Sequence, residues 1–363
     1  MPPPLTEAAQ QHAFAPLLPL LASAFQAPGR SLAAALALLA LWQALRLVRW
    51  AARFIYVYFL RPPIDPRSLG SWAVITGATD GIGKALSHRL AQKGMNILLV
   101  ARCKDRLTAC AAELQSKHGV QTRTCLVDLQ RAGPEDWARI EAAMQGLQVG
   151  ILLNNAGAFY EHPDYLETLS AEWIQEHLWI NCLAPTVLCK MVLPRMKARG
   201  KGLIVNIGSG IASAMPEAPL LSAYGAAKSY VDSLSRSLDA EASTYGVRVQ
   251  NMWPMFVYTK IAKLAQVSFF GPLPDVWAAA AMRQLGHDTC ITPLWVHGFA
   301  LSALRLMPET GKRVMRKVLF ESRDKALAKQ AAAAAATAPK AAPAGVAVSA
   351  VTGSAATAFR RRK

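Results

Sequence analysis

The chain has 363 residues and a formal net charge of +17 at pH 7. This length suits one large α/β domain with terminal extensions. The basic excess is concentrated in Arg46 to Arg67 and again after Arg305, and both clusters flank apolar stretches. That arrangement favours contact with an anionic membrane surface or with ligand phosphates. The chain carries no nucleic-acid-binding motif, so we expect no nucleic-acid partner.

The cysteines do not form a C-x-x-C pair, and most of them lie inside apolar runs. This pattern is typical of reduced thiols in the core of a cytosol-facing domain, and it predicts neither a disulfide framework nor a metal site. The residues are Cys103, Cys110, Cys125, Cys182, Cys189 and Cys290.

The first sixty residues divide into a leader and an apolar segment. Residues 1–30 are rich in proline and alanine and are expected to be unstructured. Ser31 to Val48 is apolar up to Arg46, close to the length of about 20 residues that a bilayer crossing needs, and an aromatic run from Phe54 to Leu60 follows. We predict a membrane anchor at 31–60, with the arginines after the span keeping the next domain in the cytosol. An amphipathic or buried helix, or a cleaved leader, is the alternative.

From Trp72 onwards, short apolar strands alternate with helix-length segments. This alternation predicts right-handed βαβ units, so we expect residues 70–320 to form a single doubly wound α/β domain with a parallel, Rossmann-type sheet. Residues 331–363 are rich in alanine, proline and glycine and end in basic residues, which indicates a disordered tail, although the alanine run could extend a helix. The predicted strands are Trp72 to Thr76, Asn96 to Ala101, Thr124 to Val127, Ile151 to Asn154, Leu203 to Ile207 and Val247 to Met252.

A glycine-rich segment joins the first predicted strand to a helix. It contains Gly77, Gly81, Ile82 and Gly83. Glycines let the backbone approach a pyrophosphate at the positive end of the helix, so we expect a dinucleotide to bind here. Asp80, in the same segment, either caps the helix or contacts the cofactor.

The end of the second strand indicates which dinucleotide binds. An NAD-dependent enzyme usually has a carboxylate there for the ribose 2′-hydroxyl, whereas this chain has Val100-Ala101-Arg102. A guanidinium suits the oxygens of a 2′-phosphate, so Arg102 predicts NADPH as the cofactor. A solvated arginine at the start of a helix is the alternative.

Tyr224 and Lys228 are four residues apart, which places both on one face of a helix. A phenol with a pKa of about 10 must donate a proton near neutral pH, and a neighbouring ammonium lowers that pKa. We therefore predict Tyr224 as the general acid in the reduction of a carbonyl, with hydride arriving from reduced nicotinamide.

The order and spacing of these motifs resemble the short-chain dehydrogenase/reductase family over Ser71 to Lys263. The resemblance is carried by T-G-x-x-x-G-x-G at 76–83, N-N-A-G at 154–157 and Y-x-x-x-K at 224–228. It implies that Lys228 holds the nicotinamide ribose, that Asp128 hydrogen-bonds the adenine and that Asn155 lets the adenosine half lie close to the backbone. From the residues alone, Asp128 could equally cap a helix, and Asn155 could tie one strand to another.

The resemblance also implies roles around the reacting carbonyl. Ser209 would orient the substrate, although its spacing to the tyrosine is longer than is usual in the family, and Ser213 is the rival. Asn181 would support a water relay to the lysine, or else it is a packing amide in its helix. Val257 and Thr259 would contact the nicotinamide, although Val257 could belong only to the core.

Four segments resemble the endoplasmic-reticulum 3-oxoacyl-CoA reductases, within a group that includes microsomal 17β-hydroxysteroid dehydrogenases. The segments are Phe59 to Pro63, Gly70 to Lys84, Pro219 to Asp232 and Val257 to Lys263. The resemblance implies NADPH-dependent reduction of very-long-chain 3-oxoacyl-CoA to 3-hydroxyacyl-CoA in fatty acid elongation. It also implies a location at the endoplasmic reticulum membrane with the catalytic domain facing the cytosol, and membrane lipids and other elongase subunits as partners.

Three other functions fit the same residues. A membrane-bound hydroxysteroid or retinoid oxidoreductase would share the catalytic residues and differ in the shape of its pocket. A plastid reductase acting on acyl carrier protein would need a transit peptide at the N-terminus, and the apolar span argues against one. A catalytically silent scaffold would bind nucleotide and hold elongation partners, yet the candidate catalytic residues are all present.

The C-terminal region adds apolar and basic residues. Phe269, Phe270 and Trp277 either let a long acyl chain reach the site from the bilayer or serve only in packing. The basic residues could meet CoA phosphates or lipid headgroups, and they are Lys312, Arg313, Arg316 and Lys317.

Overall fold

A computed structural model of the protein describes residue 19 and residues 28–210, 218–262, 266–306 and 309–337. Apart from Pro19, the predicted leader up to residue 27 lies outside the described residues, and so does the chain after Thr337.

Among the described residues, seven strands form one parallel sheet in the order β3-β2-β1-β4-β5-β6-β7. The strand order reverses between β1 and β4, which opens a crevice at their carboxyl ends. The prediction of a doubly wound α/β fold is confirmed. The strands are β1 Trp72–Thr76, β2 Asn96–Ala101, β3 Thr122–Leu126, β4 Val149–Asn154, β5 Gly202–Ile207, β6 Val247–Met252 and β7 Cys290–Ile291.

Helices cover both faces of this sheet. Two of them begin at side-chain caps, where Asp80 accepts from the N–H of Gly81 and Ser170 accepts from the N–H of Trp173. The helices are α1 Pro28–Ile55, α2 Gly81–Gln92, α3 Lys104–His118, α4 Pro134–Ala143, α5 Ala171–Leu178, α6 Ala184–Arg199, α7 Ser222–Ala242, α8 Pro274–Gln284, α9 Trp295–Leu306 and α10 Glu309–Thr337. Two π-helical turns, Tyr56–Leu60 and Trp179–Leu183, follow α1 and α5.

The core lies in two layers because successive residues of a strand face opposite sides of the sheet. In β1, Ile75 belongs to one layer and Val74 to the other, and both are fully buried. Trp277 of α8 is also fully buried in the first layer. Of the two uses that the sequence allowed for Trp277, the structure therefore supports packing.

The predicted anchor is a long exposed helix whose far end is docked on the domain. Leu32–Leu60 is long and apolar enough to cross a bilayer, by length and composition. At its end, Val57 is buried, Arg61 Nη1 pairs with Asp288 Oδ2 at 2.7 Å, and Gln284 Nε2 donates to the Val57 carbonyl at 2.8 Å. The helix fits a membrane anchor whose last turn is held against the α/β domain.

The last helix, α10, runs through the alanine run to Thr337. The sequence predicted a disordered tail from residue 331. Residues 331–337 are helical, which is the alternative that the alanine run allowed. The helix packs back on the domain: Arg323 Nε donates to Asp164 Oδ1 at 2.7 Å, and the rings of Phe320 and Tyr165 are 6.4 Å apart.

Candidate active site

The glycine-rich loop turns sharply between β1 and α2. Gly77 and Gly81 have φ angles of +62° and +51°, which an L side chain rarely adopts. Gly83 is needed for a different reason, since a Cβ there would lie 2.3 Å from the carbonyl oxygen of Gly77 and 2.4 Å from Asn155 Nδ2. The loop therefore presents backbone at the amino end of α2, where a pyrophosphate is stabilised.

Asp80 is the cap of α2. Its Oδ1 accepts from the N–H of Gly81 at 2.8 Å, and its Oδ2 lies 2.8 Å from Lys260 Nζ. Burial alone would raise the pKa of Asp80, but the hydrogen bonds from Lys260 and Gly81 hold it below its usual value. Of the two roles that the sequence left open, the structure supports the cap.

Asn155 ties the ends of β1 and β4 together. Its Nδ2 donates to the carbonyls of Thr76 at 3.0 Å and Gly77 at 3.2 Å. Thr76 Oγ1 accepts from the N–H groups of Asn155 and Ala156, each at 3.0 Å. The strand-tying role is thus observed, and it fixes the loop that the cofactor would contact.

Arg102 and Asp128 lie at the carboxyl ends of β2 and β3. Arg102 Nη1 donates to Gln130 Oε1 and is 4.0 Å from Asp128 Oδ2, and its side chain is 67% exposed. Asp128 Oδ1 accepts from the N–H of Gln130 at 3.1 Å, which makes a turn. Asp128 does not cap the next helix, because α4 begins six residues later at Pro134 with Gly133 as its N-cap. That alternative was wrong.

The connection after β6 folds over the amino end of α2. Val257 is 2% exposed and packs in the core, whereas Thr259 Cγ2 lies 3.3 Å from the point that a Cβ on Gly81 would occupy. Thr259 Oγ1 also accepts from the N–H of Ala262 at 3.1 Å. The core position that the sequence allowed for Val257 is observed, and Thr259 faces the glycine loop.

Tyr224, Lys228 and Ser209 lie together at the carboxyl edge of the sheet. Lys228 Nζ donates to the carbonyl of Ile207 at 3.0 Å and lies 5.7 Å from the centre of the Tyr224 ring. Ser209 makes a side-chain hydrogen bond with Tyr224. Ser213, the rival serine, lies outside the described residues.

The pKa of Tyr224 does not follow the expectation from sequence. Burial raises the pKa of Tyr224, and the opposing effect comes from the hydrogen bond with Ser209 rather than from Lys228. Burial lowers the pKa of Lys228 to about 8. The expectation that the neighbouring ammonium lowers the tyrosine pKa was wrong for this arrangement, because burial disfavours the charged form of both groups.

Asn181 lies in the π-helical turn after α5. Its Nδ2 donates to the carbonyls of His177 at 3.0 Å and Ala158 at 3.1 Å, while its buried Oδ1 has no hydrogen-bond partner within the described protein. Asn181 Oδ1 and Lys228 Nζ lie 3.0 and 3.6 Å from the point that a Cβ on Gly157 would occupy. The amide oxygen is therefore aimed at the space beside the lysine, and π-helical turns often occur at functional sites.

The sequence analysis missed two aromatic residues beside Tyr224. His177 is buried and stacked on Trp173 with ring centres 4.6 Å apart, and burial together with the charge of Lys228 lowers its pKa to about 4. Tyr160 accepts a hydrogen bond from the N–H of Ala223, just before the tyrosine, at 3.1 Å. His177 precedes Asn181 by one helical turn, but no motif in the sequence marks it.

The C-terminal helix forms one wall of the region around Tyr224. Leu319 of α10 packs against the cluster that contains Tyr160, Leu221 and Tyr224. An ion pair, with 2.7 Å between Arg323 Nε and Asp164 Oδ1, holds this helix against the loop after β4. The C-terminal helix is therefore held against the cluster that surrounds Tyr224.

A parallel sheet with a glycine-rich βα loop, and a half-buried serine and tyrosine with a buried lysine beyond its carboxyl edge, defines a dinucleotide-dependent oxidoreductase. Residues 71–267 match the short chain dehydrogenase family, and the chain belongs to that family.

Its curated relatives include very-long-chain 3-oxoacyl-CoA reductases. That of Anas platyrhynchos is 36% identical over 263 residues, which cover 69% of this chain and 83% of the relative. That of Homo sapiens is 38% identical and covers 66% of this chain and 76% of the relative. The hydroxysteroid dehydrogenase-like protein 1 of Gallus gallus is 35% identical, over 66% of this chain and 73% of the relative.

Solved structures show the same similarity. A short-chain dehydrogenase from Sphingobium yanoikuyae in complex with NADPH is 33% identical with a TM-score of 0.55, over 65% of this chain and 93% of that one. A bulky-bulky ketone specific alcohol dehydrogenase from Comamonas testosteroni is 30% identical with a TM-score of 0.55, over 66% and 93%.

Proposed function

We propose that this chain reduces very-long-chain 3-oxoacyl-CoA to 3-hydroxyacyl-CoA with NADPH during fatty acid elongation. The observation that carries the proposal is the group of Ser209, Tyr224 and buried Lys228, placed beyond a dinucleotide-binding sheet that is joined to an exposed apolar helix. Relatives that match over most of their own length bear the name of this reductase.

The residues of the crevice fit NADPH. The pyrophosphate would lie on Gly77, Gly81, Ile82 and Gly83, where the loop bends around the positive end of α2. Arg102 would bind the 2′-phosphate, since its guanidinium is exposed and no carboxylate ends β2.

The remaining cofactor contacts follow the same edge of the sheet. Asp128 would hydrogen-bond the adenine, and Asn155 would hold the loop beneath the adenosine half. The backbone of Val257 and the hydroxyl of Thr259 would contact the nicotinamide. Lys228 would hold the nicotinamide ribose. When bound, the cofactor supplies the hydride that reduces the carbonyl carbon.

Tyr224 would protonate the substrate oxygen as hydride reaches carbon 3 of the acyl chain. The raised pKa of Tyr224 keeps its phenol protonated at neutral pH, which is the form that a proton donor needs. Ser209, already hydrogen-bonded to that phenol, would hold the carbonyl beside it. Asn181 Oδ1 would accept from a water that returns a proton through Lys228.

The surroundings suit a long acyl thioester. Tyr160, Leu221 and Leu319 belong to an apolar cluster that packs around Tyr224. On the outer part of α10, Arg313 and Lys317 are exposed, and Arg316 pairs with Glu309 at 2.8 Å. These cations would meet the phosphates of CoA, because α10 is docked beside the entrance to the site.

The enzyme would reside in the endoplasmic reticulum membrane with its catalytic domain in the cytosol. Arg46, Arg49 and Arg53 follow the apolar part of α1, and basic residues after a span favour the cytosolic side. Other elongase subunits and membrane lipids would be its neighbours there.

The test is turnover of a defined substrate by the full-length protein in phospholipid nanodiscs. We expect NADPH oxidation with 3-oxostearoyl-CoA and formation of the 3-hydroxy product. No NADPH oxidation with this substrate, or turnover with NADH alone, would contradict the proposal.

A membrane-bound hydroxysteroid oxidoreductase is the second candidate, favoured by the similarity to the hydroxysteroid dehydrogenase-like protein of Gallus gallus. The same nanodiscs, given a panel of steroid ketones, separate the two. Steroid turnover with no reaction of any oxoacyl-CoA would replace the first proposal by the second.

A further inference from the structure

We infer that the catalytic domain has a second membrane-contacting surface, an aromatic belt that rests on the phospholipid bilayer beside α1. The aromatic belt consists of Phe59, Phe269, Phe270, Trp295 and Phe299. The inference goes beyond the proposed function and rests on it in one respect, namely that α1 spans the membrane.

The aromatic belt is exposed and continuous. Its five side chains belong to residues that are between 40% and 63% exposed. The ring of Phe269 lies 5.4 Å from that of Phe270 and 5.8 Å from that of Trp295, and Trp295 lies 6.2 Å from Phe59. Contiguous apolar surface of this kind marks a site of interaction, whereas single exposed apolar residues do not.

Ring contacts show that α9 runs antiparallel to the end of α1. Near the start of α9, Trp295 meets Phe59, and one turn later Phe299 lies 6.4 Å from both Phe54 and Trp50. Moving along α9 therefore means moving back along α1, towards its apolar part. Leu306, the last residue of α9, is 86% exposed and lies about 10 Å further in that direction.

The occupant that fits this surface is a lipid bilayer. The aromatic belt adjoins a helix long enough to span, so a membrane that holds α1 lies beside it. Arg46 lies over the ring of Trp42 at 4.6 Å, and the side chain of Arg53, on the last turn of the helix, is 72% exposed. Aromatic rings beside arginines are the composition of a membrane interface, where rings lie among headgroups and guanidinium groups meet phosphates.

The aromatic belt is also part of the connection that reaches the cofactor. Phe269 and Phe270 follow Thr259 in the same segment between β6 and α8. Between them, Ile261 and Val267 are 55% and 48% exposed. Apolar side chains are therefore exposed along the described part of this connection as well as in the belt itself.

The test uses the full-length protein in nanodiscs of phosphatidylcholine and phosphatidylserine that contain an alkyne-tagged phosphatidylcholine. Benzoylphenylalanine replaces Phe269, or in a second variant Phe299, and illumination crosslinks the residue to whatever it touches. A probe at Leu39 of α1 reports the anchor. A probe at Leu126, which is 43% exposed on β3, is the matched control, because β3 is at the opposite edge of the sheet and about 29 Å from β7.

We expect tagged lipid on the probe at Leu39 and on the probe in the belt, at Phe269 or at Phe299. The probe at Leu126 should carry at least tenfold less. Labelling at Leu39 alone would overturn the aromatic belt while leaving the anchor intact. Labelling at none of these positions would overturn the anchor and, with it, this inference. Equal labelling at Phe269, Phe299 and Leu126 would also contradict it, since lipid would then contact the protein without preference for the aromatic belt.

Discussion

Replacing Arg102 with alanine should remove the preference of the enzyme for NADPH. One nitrogen of the guanidinium donates to Gln130, and its other N–H donors lie at the exposed carboxyl end of β2. A hydrogen bond between charged groups contributes about 1.5 to 3 kcal/mol, and each 1.4 kcal/mol corresponds to about tenfold in affinity. We therefore expect the Kd for NADPH to rise about 10- to 100-fold in Arg102→Ala, with little change in the Kd for NADH.

The assay is titration of the purified protein with each cofactor, followed by the fluorescence of the bound nicotinamide. Arg195→Ala is the control, because Arg195 is also partly exposed but pairs with Glu141 near the carboxyl ends of α6 and α4, at the edge of the sheet opposite the crevice. The reasoning would be refuted if the Kd values for NADPH and NADH rose by the same factor, since the lost interaction would then not involve the 2′-phosphate.

Three further predictions follow from the site. The rate of reduction should fall above pH about 8, because the pKa of Lys228 is lowered to about 8 and its ammonium form is needed to return the proton. Lys228→Arg should move this descending limb of the pH profile to higher pH. An unchanged pH profile would argue against a role for the ammonium. Gly83→Ala should cost about 1 to 3 kcal/mol through overpacking against Gly77 and should weaken NADPH binding, measured by thermal unfolding and titration. In Gly133→Ala a Cβ meets nothing within 4 Å, so this control should only weaken the N-cap of α4 and should leave NADPH binding unchanged. Arg323→Gln should raise the KM for long acyl-CoA and leave the Kd for NADPH unchanged, because it frees α10 from Asp164. The control is Lys329→Gln, since Lys329 is exposed on the same helix. Equal KM values in the two variants would show that the docking of α10 does not affect substrate binding.

The sequence was sufficient for most of the sheet because each buried strand reads as a short apolar run. Six strands were predicted within two residues of their observed ends. β7 was missed, since Cys290–Ile291 is too short to show any periodicity and is recognised only by its pairing with β6. The glycine loop could also be predicted, because its backbone angles depend on local residue type.

Contacts between distant residues could not be predicted in the same way. Arg323 and Asp164 are 159 residues apart, and nothing in either segment indicates the other. The direction of the Tyr224 pKa was likewise inaccessible, because it depends on how deeply the phenol is buried. His177 belongs to no motif, so its place between Trp173 and Tyr224 appears only when α5 is packed against α7.

The most direct test of the account is the rate of oxoacyl-CoA reduction by Tyr224→Phe in nanodiscs. Removing the phenolic hydroxyl takes away the proton donor but keeps the ring that packs edge-on against Phe159 at 4.7 Å. We predict a fall in kcat of about 10²- to 10⁴-fold with an unchanged Kd for NADPH. A folded, NADPH-binding Tyr224→Phe protein that reduces 3-oxostearoyl-CoA at the parent rate would contradict the account.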